Sequence, residues 1–414
     1  MKENPARAWI TAVGRWLLLF AVPGALISTL SLYVVPVTES LGITRGQFSL
    51  MFSMYSLVSA ILSFFAFKIL KKISLRLAIL IGGLSGAVGC LLFSLAKDNT
   101  LFLAGGVFLG VALGLCGLMT VQLVLSNWFA QKTGLIMSIS ASFTGIGILV
   151  MSPIIGRMIS SLGWAASFRI SGVGIAVLVL LVVIFIIRDH PSDLGLLPYG
   201  VKAGETAAVK NAAQADASGM TAAEALRTVK FWLMILCLFI LGFNTQVTVS
   251  QQSAMIMDKG FALETAAAIV SVYAIFNTFT KIAAGVGIEK FGFRTVAIAA
   301  GIVQIAAFLT MLLGKSHTHM VIYAVLFGAS CCVSVNYGIL SVPMLFGKKE
   351  IKGLTGFGNF AFYCGCLLGP MVSGQLYDHL HDYNIAIYIM MAFMVIYALS
   401  TLVNLRKSNA YANH

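Results

Sequence analysis

ALETAAAIVSVYAIFNTFTKIAAGVGIEKFGFR, residues 262–294, decides how this chain is read. Residues 262–288 form an apolar run long enough to cross a bilayer as a helix, for which about 20 residues suffice. One charge, Lys281, stands inside the run, and Asn277 precedes it by one turn. The run then closes in a charged, glycine-rich turn. A lysine at membrane depth costs about 2.5 to 3.5 kcal/mol even on lenient insertion scales, so a chain that keeps one has a use for it. The competing reading is a structural lysine whose arm reaches back to the interface. That reading needs no polar neighbours, whereas Tyr273, Asn277 and Lys281 follow one another at i, i+4 and i+8, the stripe that an aqueous wall would require.

Working outward, the 414 residues carry only 10% charged and 59% hydrophobic side chains, where a soluble domain has about 25% charged. The chain belongs in a bilayer. The formal charge of +13 sits in short blocks between apolar runs and forms no basic face with interleaved aromatics, which argues against nucleic acid. Seven cysteines all lie inside apolar runs without metal-type spacing and read as small packing residues. The amino terminus lacks a small-x-small cleavage site and reads as a retained first helix.

Runs of spanning length fall near residues 11–35, 46–68, 75–96, 101–126, 134–158, 166–187, 231–254, 262–288, 295–314, 320–346, 353–377 and 384–405. Twelve spans put both termini on one side. With that side cytoplasmic, 20 of the 27 Lys and Arg residues, Arg15 and Arg76 among them, lie inside and six outside, with Lys281 between. The expected orientation is therefore amino and carboxyl termini in, at a cell inner membrane. Residues 189–229 are polar and rich in Ala and Gly, so the expected division is a six-helix bundle over 1–188, a cytoplasmic linker, and a second bundle over 230–414. The two halves repeat at a steady offset: Trp16 matches Trp232, Arg76 matches Arg294, Phe129 matches Phe346 and Pro153 matches Pro370. The fold class is an all-α membrane protein, two pseudo-symmetric six-helix bundles with a site between them.

These features resemble the major facilitator superfamily of transporters. GVGIEKFGFR (285–294) is similar to the family's loop motif, with Gly285, Glu289, Lys290, Gly292 and Arg294 in its places. The resemblance implies that the acid and arginine hold cytoplasmic helix ends together. Its counterpart, FKILKKISLR, keeps Arg76 but has Lys71 and Ser74 where the acid and glycine belong. Within the superfamily, LYVVPVTESLGITRGQFSL, NWFAQKTGLIMSISASFTGIGILVMSPIIG and RDHPSDLGLLPYG resemble the branch of the oxalate/formate antiporter and the bacterial monocarboxylate transporters. That branch carries a cation in helix eight that meets the substrate carboxylate, and Lys281 occupies the matching place. A second basic residue, in helix eleven, is replaced here by Phe362, and pocket aromatics by Thr144, Cys331 and Val335. One cation fits a monoanion better than a dianion.

The fourteen acidic residues all fall at helix ends, loops or the linker. With no acid at membrane depth, the anionic partner of Lys281 is expected to be the substrate, with exchange or uniport favoured over carboxylate-mediated proton symport. Further candidates to line the site are Tyr33, Gln251, Asn336, Tyr337, Asn359 and Tyr363, each of which could instead make an interhelical hydrogen bond worth about 0.6 kcal/mol. Gly145, Gly147, Pro153 and Gly156 resemble the glycine-proline motif of exchangers, and close helix packing explains them without a ligand. No nucleophile triad or phosphate loop occurs, and neither a cofactor nor a metal is expected, His379 and His381 reading as solvated loop residues. The expectation is a carrier, not an enzyme, working as a monomer in the lipid bilayer on a small organic anion. The alternatives are an exporter of a neutral or cationic compound with Lys281 structural and, more remotely, a transporter-like ligand sensor.

Overall fold

The chain's computed structural model describes residues 2–70, 73–129, 133–200, 219–347 and 349–405. The first six helices are α1 (Pro5–Leu41), α2 (Arg45–Leu70), α3 (Leu75–Ser94), α4 (Asn99–Trp128), α5 (Thr133–Leu162) and α6 (Trp164–Ile186). After the linker come α7 (Val229–Met257), α8 (Leu263–Phe291), α9 (Phe293–Leu313), α10 in two segments (His317–Ser330 and Cys332–Phe346), α11 (Ile351–Leu380) and α12 (Asn384–Asn404). Among the described residues, ten helices are long and apolar enough to cross a membrane, and α10 and α11 fill the two remaining positions. Caps follow the polar punctuation: Ser74, Asp98 and Thr228 accept from first-turn N–H groups of α3, α4 and α7. Gly292 turns α8 into α9 at φ 78° and ψ 151°, a conformation that glycine adopts without strain.

Two helices depart from the expected plain rods. α1 runs from Pro5 to Leu41, and its middle, Phe20–Ile27 around Pro23, is π-helical, because a proline has no N–H to donate and crowds the preceding turn. α4 is broken: its first segment ends at Cys116, Gly117 is extended at ψ −172°, and the second segment starts at Leu118. Gly117 is hidden in a run already full of glycine, so the sequence gives no sign of the interruption. α10 breaks at the related Cys331, whose φ −67° and ψ −13° stay helical.

The halves meet through α2 with α11, α5 with α8, and α7 with α1. The polar contacts that cross between them cluster toward the end of the molecule opposite the termini. Ser31 and Ser253 hydroxyls are 2.9 Å apart, Ser53 donates to the Leu367 carbonyl at 2.7 Å, and the Gly46 N–H donates to Asp378 at 2.9 Å. Arg45 makes two 2.7 Å bonds to Asp258, with its guanidinium 3.9 Å over the Tyr377 ring. A bidentate, ring-stacked pair of this kind is a stronger tie than an ordinary surface ion pair. Reversing one member, Arg45→Asp or Asp258→Arg, sets like charges together and is expected to lower transport about tenfold. The double reversal should recover most of it, a pattern that uptake into proteoliposomes would read directly.

At the end carrying the termini, several polar ties of the described residues stay within one half. The Arg76 backbone N–H donates to Asp189 at 2.7 Å, and its guanidinium donates to the carbonyls of Val183 and Ile184. Lys2–Glu3 pairs with Leu196–Leu197 as a short parallel ladder. The two described edges of the linker attach to related positions, Tyr199 N–H to Trp128 O and Met220 N–H to Phe346 O, both 2.8 Å.

Candidate functional site

The environment of Lys281 follows from the faces of α8. Successive residues turn by about 100°, so positions three and four apart share a side. Ala267, Ser271, Ala274 and Thr278 form the side against α5: Ser271 donates to the Leu149 carbonyl at 3.2 Å, and a Cβ on Gly156 would come within 2.9 Å of Ala267. A Cβ on Gly145 would overlap the Thr278 hydroxyl. A second side, with Tyr273 and Asn277, packs on the first segment of α10. There the Tyr273 ring lies 5.3 Å from Phe327, and a Cβ on Gly328 would reach within 3.0 Å of the Asn277 nitrogen. By the same periodicity Lys281 falls between these two sides, toward the junction of the halves. It is half-buried.

α8 continues to Phe291, three residues beyond the apolar run. Lys281 is thus about 15 Å from the helix end and about 10 Å from the end of the apolar run, at 1.5 Å per residue. Asn277 Nδ2 donates to the Tyr273 hydroxyl at 3.1 Å, and Asn277 Oδ1 is buried without a partner. The expected stripe is therefore physically continuous over its first two members.

The other expected residues do not all gather there. Tyr33 was expected to line the site, but it lies inside its own half, its hydroxyl 2.7 Å from Ser167 and its ring stacked 3.8 Å from Phe168. Tyr337 is likewise internal, 3.2 Å from Thr401 and against Phe293 and Tyr397. In each case the hydroxyl is satisfied by a neighbouring helix of the same half. Gln251 joins the two halves instead of facing a ligand: Nε2 donates to Ser49 at 2.7 Å, and Oε1 accepts from the Tyr383 hydroxyl at 2.9 Å. Tyr363 is half-buried and faces Ser63 of α2, while Asn359 is exposed. The side chain of Asn336 and the surroundings of Gly285 lie outside the described residues.

In the loop motif, Glu289 and Lys290 are exposed, with the Lys290 ammonium 5.4 Å from the Phe291 ring. Arg294 Nε is buried and unpartnered, and among the described residues no ion pair joins Glu289 to Arg294. Gly147 packs against α1, where a Cβ would meet Gly24 Cα at 2.9 Å and the Phe20 carbonyl, and Pro153 lies within α5. The described acids occupy helix ends. Asp258 pairs with Arg45, Asp378 and Asp189 accept backbone N–H groups, and Glu350 accepts from the Ala222 N–H at 2.8 Å. Glu264 accepts from Ser160 at the start of α8.

Sequence reasoning missed one group. Arg15, assigned to the cytoplasmic margin, is 0% exposed and reaches into the first half, where its Nη2 donates to Thr120 at 2.8 Å. Its neighbour Trp16, whose indole donates to Ser140 at 2.7 Å, stacks 5.1 Å from Phe143 of α5.

A model of the Major Facilitator Superfamily matches residues 8–261 and again 234–413. The chain belongs to this superfamily. Among curated members, the oxalate:formate antiporter of Oxalobacter formigenes is 23% identical over 299 residues, 71% of this chain and 66% of the antiporter. The match thus spans just under two thirds of that relative's length. Human monocarboxylate transporter 12 is 28% identical over 103 residues, 25% of this chain and 20% of its own length. The solved nucleoside transporter NupG superposes with a TM-score of 0.74 over 97% of this chain and 99% of its own, at 14% identity. Superfamily membership makes the chain a multi-pass membrane transporter, not an enzyme.

Proposed function

We propose that the protein carries a small organic monocarboxylate across the membrane by alternating access, with Lys281 neutralising the carboxylate. The supporting observation is the position of Lys281, half-buried within α8 between the side packed on α5 and the side packed on α10. An ammonium in a water-poor interior attracts a carboxylate far more strongly than it would in water. The partial likeness to an oxalate:formate antiporter and a monocarboxylate transporter supports the same substrate class. Asn277, whose Oδ1 has no protein partner, orients the bound molecule.

The excess of basic residues at the end with the termini supports a cytoplasmic position for it. On that orientation the polar ties between the halves close the outer side, and the protein is held inward-facing. Transport then requires these ties to part while the halves rock about the Lys281 level.

The deciding experiment is counterflow into proteoliposomes loaded in turn with formate, lactate, pyruvate, oxalate, an amino acid and a purine nucleoside. Monocarboxylates are expected to drive uptake of a labelled monocarboxylate, and oxalate to do so weakly. Exchange driven by nucleoside alone would overturn the reading in favour of a neutral cargo, with Lys281 structural.

A further inference from the structure

Arg15 is a complete charge buried in the first half, and nothing proposed above uses it. Its Nη2 donates to Thr120 Oγ1 at 2.8 Å, and its Nε and Nη1 are both buried without a partner. The Thr120 hydroxyl is itself within donating distance of the carbonyls of Leu115 (2.8 Å) and Gly117 (3.0 Å). Cys116, also beside Arg15, donates its thiol to the Ile79 carbonyl at 3.3 Å. Among the described residues no carboxylate accepts from this guanidinium.

Thr120 is in the first turn of the second segment of α4, which begins just past the break at Gly117. The first N–H groups of that segment, on Leu118, Met119 and Thr120, have no acceptor within it, and the start of a helix carries partial positive charge. A full cation and the positive end of a half-helix thus meet at one interruption in the protein interior. Each makes the other more costly unless a negative charge joins them. The second half supplies an internal comparison: at the repeat offset of Trp16 and Trp232, Phe231 stands in the place of Arg15, and the break at Cys331 keeps helical dihedrals. The open break and the cation occur together, in the first half.

We propose that the α4 break is an anion site of the amino-terminal half, separate from Lys281. It takes a small monovalent anion, chloride or a carboxylate of formate size, held by Nε and Nη1 of Arg15 and the first-turn N–H groups of the second α4 segment. Membrane carriers use interrupted helices in this way, aiming half-helix starts at negative groups.

The test is the melting midpoint of the purified full-length protein as sodium gluconate is replaced by sodium chloride, or by sodium formate, at constant ionic strength. A saturable rise is expected for wild type and for Lys281→Gln, absent in Arg15→Gln and displaced at least about tenfold in midpoint concentration in Thr120→Val. A rise with chloride alone assigns a halide site, and a rise with formate alone a carboxylate site. The proposal is overturned if neither salt gives a saturable rise, or if Arg15→Gln keeps it. Should Arg15→Gln fail to fold, an unchanged anion dependence in Thr120→Val overturns it equally. Because Lys281→Gln is measured in parallel, the site at α4 can fail or stand independently of the transport site.

Discussion

Proteoliposomes carrying Lys281→Gln are expected to take up monocarboxylate at about one thirtieth of the wild-type rate or less. The estimate follows from what a charge held between packed helices is worth to its partner. Removing one member of a desolvated, hydrogen-bonded ion pair costs about 2–5 kcal/mol, which is about thirtyfold at the low end and above a thousandfold at the high end. Glutamine keeps the length and polarity of the position, so the packing of α8 against α5 and α10 should survive. Lys281→Arg should recover a substantial fraction, because a guanidinium also pairs with carboxylate, with a different geometry. Uptake by Lys281→Gln at the wild-type rate would end the proposal that this lysine neutralises the cargo. Loss of folding is distinguished by gel filtration and by the melting midpoint, both expected to change little.

Joining Ser31 to Ser253 should abolish transport altogether. The two hydroxyls are 2.9 Å apart, one on α1 and one on α7, and both residues are buried. Cysteine differs from serine by one atom, and facing side chains at such a distance lie within the reach of a disulfide. The double variant Ser31→Cys/Ser253→Cys is expected to be inactive after oxidation and to regain uptake on treatment with dithiothreitol, while each single variant transports normally. A covalent tie here fastens the halves at the end opposite the termini, so the carrier holds one conformation. If the oxidised, crosslinked protein turned over at the wild-type rate, these contacts would not have to part during the cycle.

The helices were readable because apolar length is a local property: each run between charged blocks had to leave water, whatever its neighbours. The repeat placed Lys281 in the second half for the same reason, through residues such as Trp232, Arg294 and Pro370 that can be compared along the chain. Arg15 was not readable. A basic residue at the fifth position of a run that begins near a terminus looks like an interfacial anchor, and only its bond to Thr120, 105 positions away, shows that it points inward. Tyr33 and Tyr337 misled for a related reason, since a tyrosine on a membrane helix serves a cavity and a neighbouring Ser or Thr equally well. Gln251 reads from the sequence as a residue lining the site, yet its partners are Ser49 of α2 and Tyr383, just before α12. The sequence carries no register between helices that distant. The break at Gly117 was masked because the surrounding glycines offer the chain many equivalent places to bend.

The surface where the halves meet opposite the termini is lined by Ser31, Ser49, Ser53, Gln251, Asp258 and Asp378. These are groups that water can serve as well as protein. When the surface parts, each lost bond is replaced by hydration, and the net change per bond is about 1 kcal/mol. A seam of leucine and phenylalanine would instead expose oil to water and stay shut. Polar lining brings the free energies of the shut and parted forms close together, and a machine that must visit both in every cycle turns over fastest when neither is a trap.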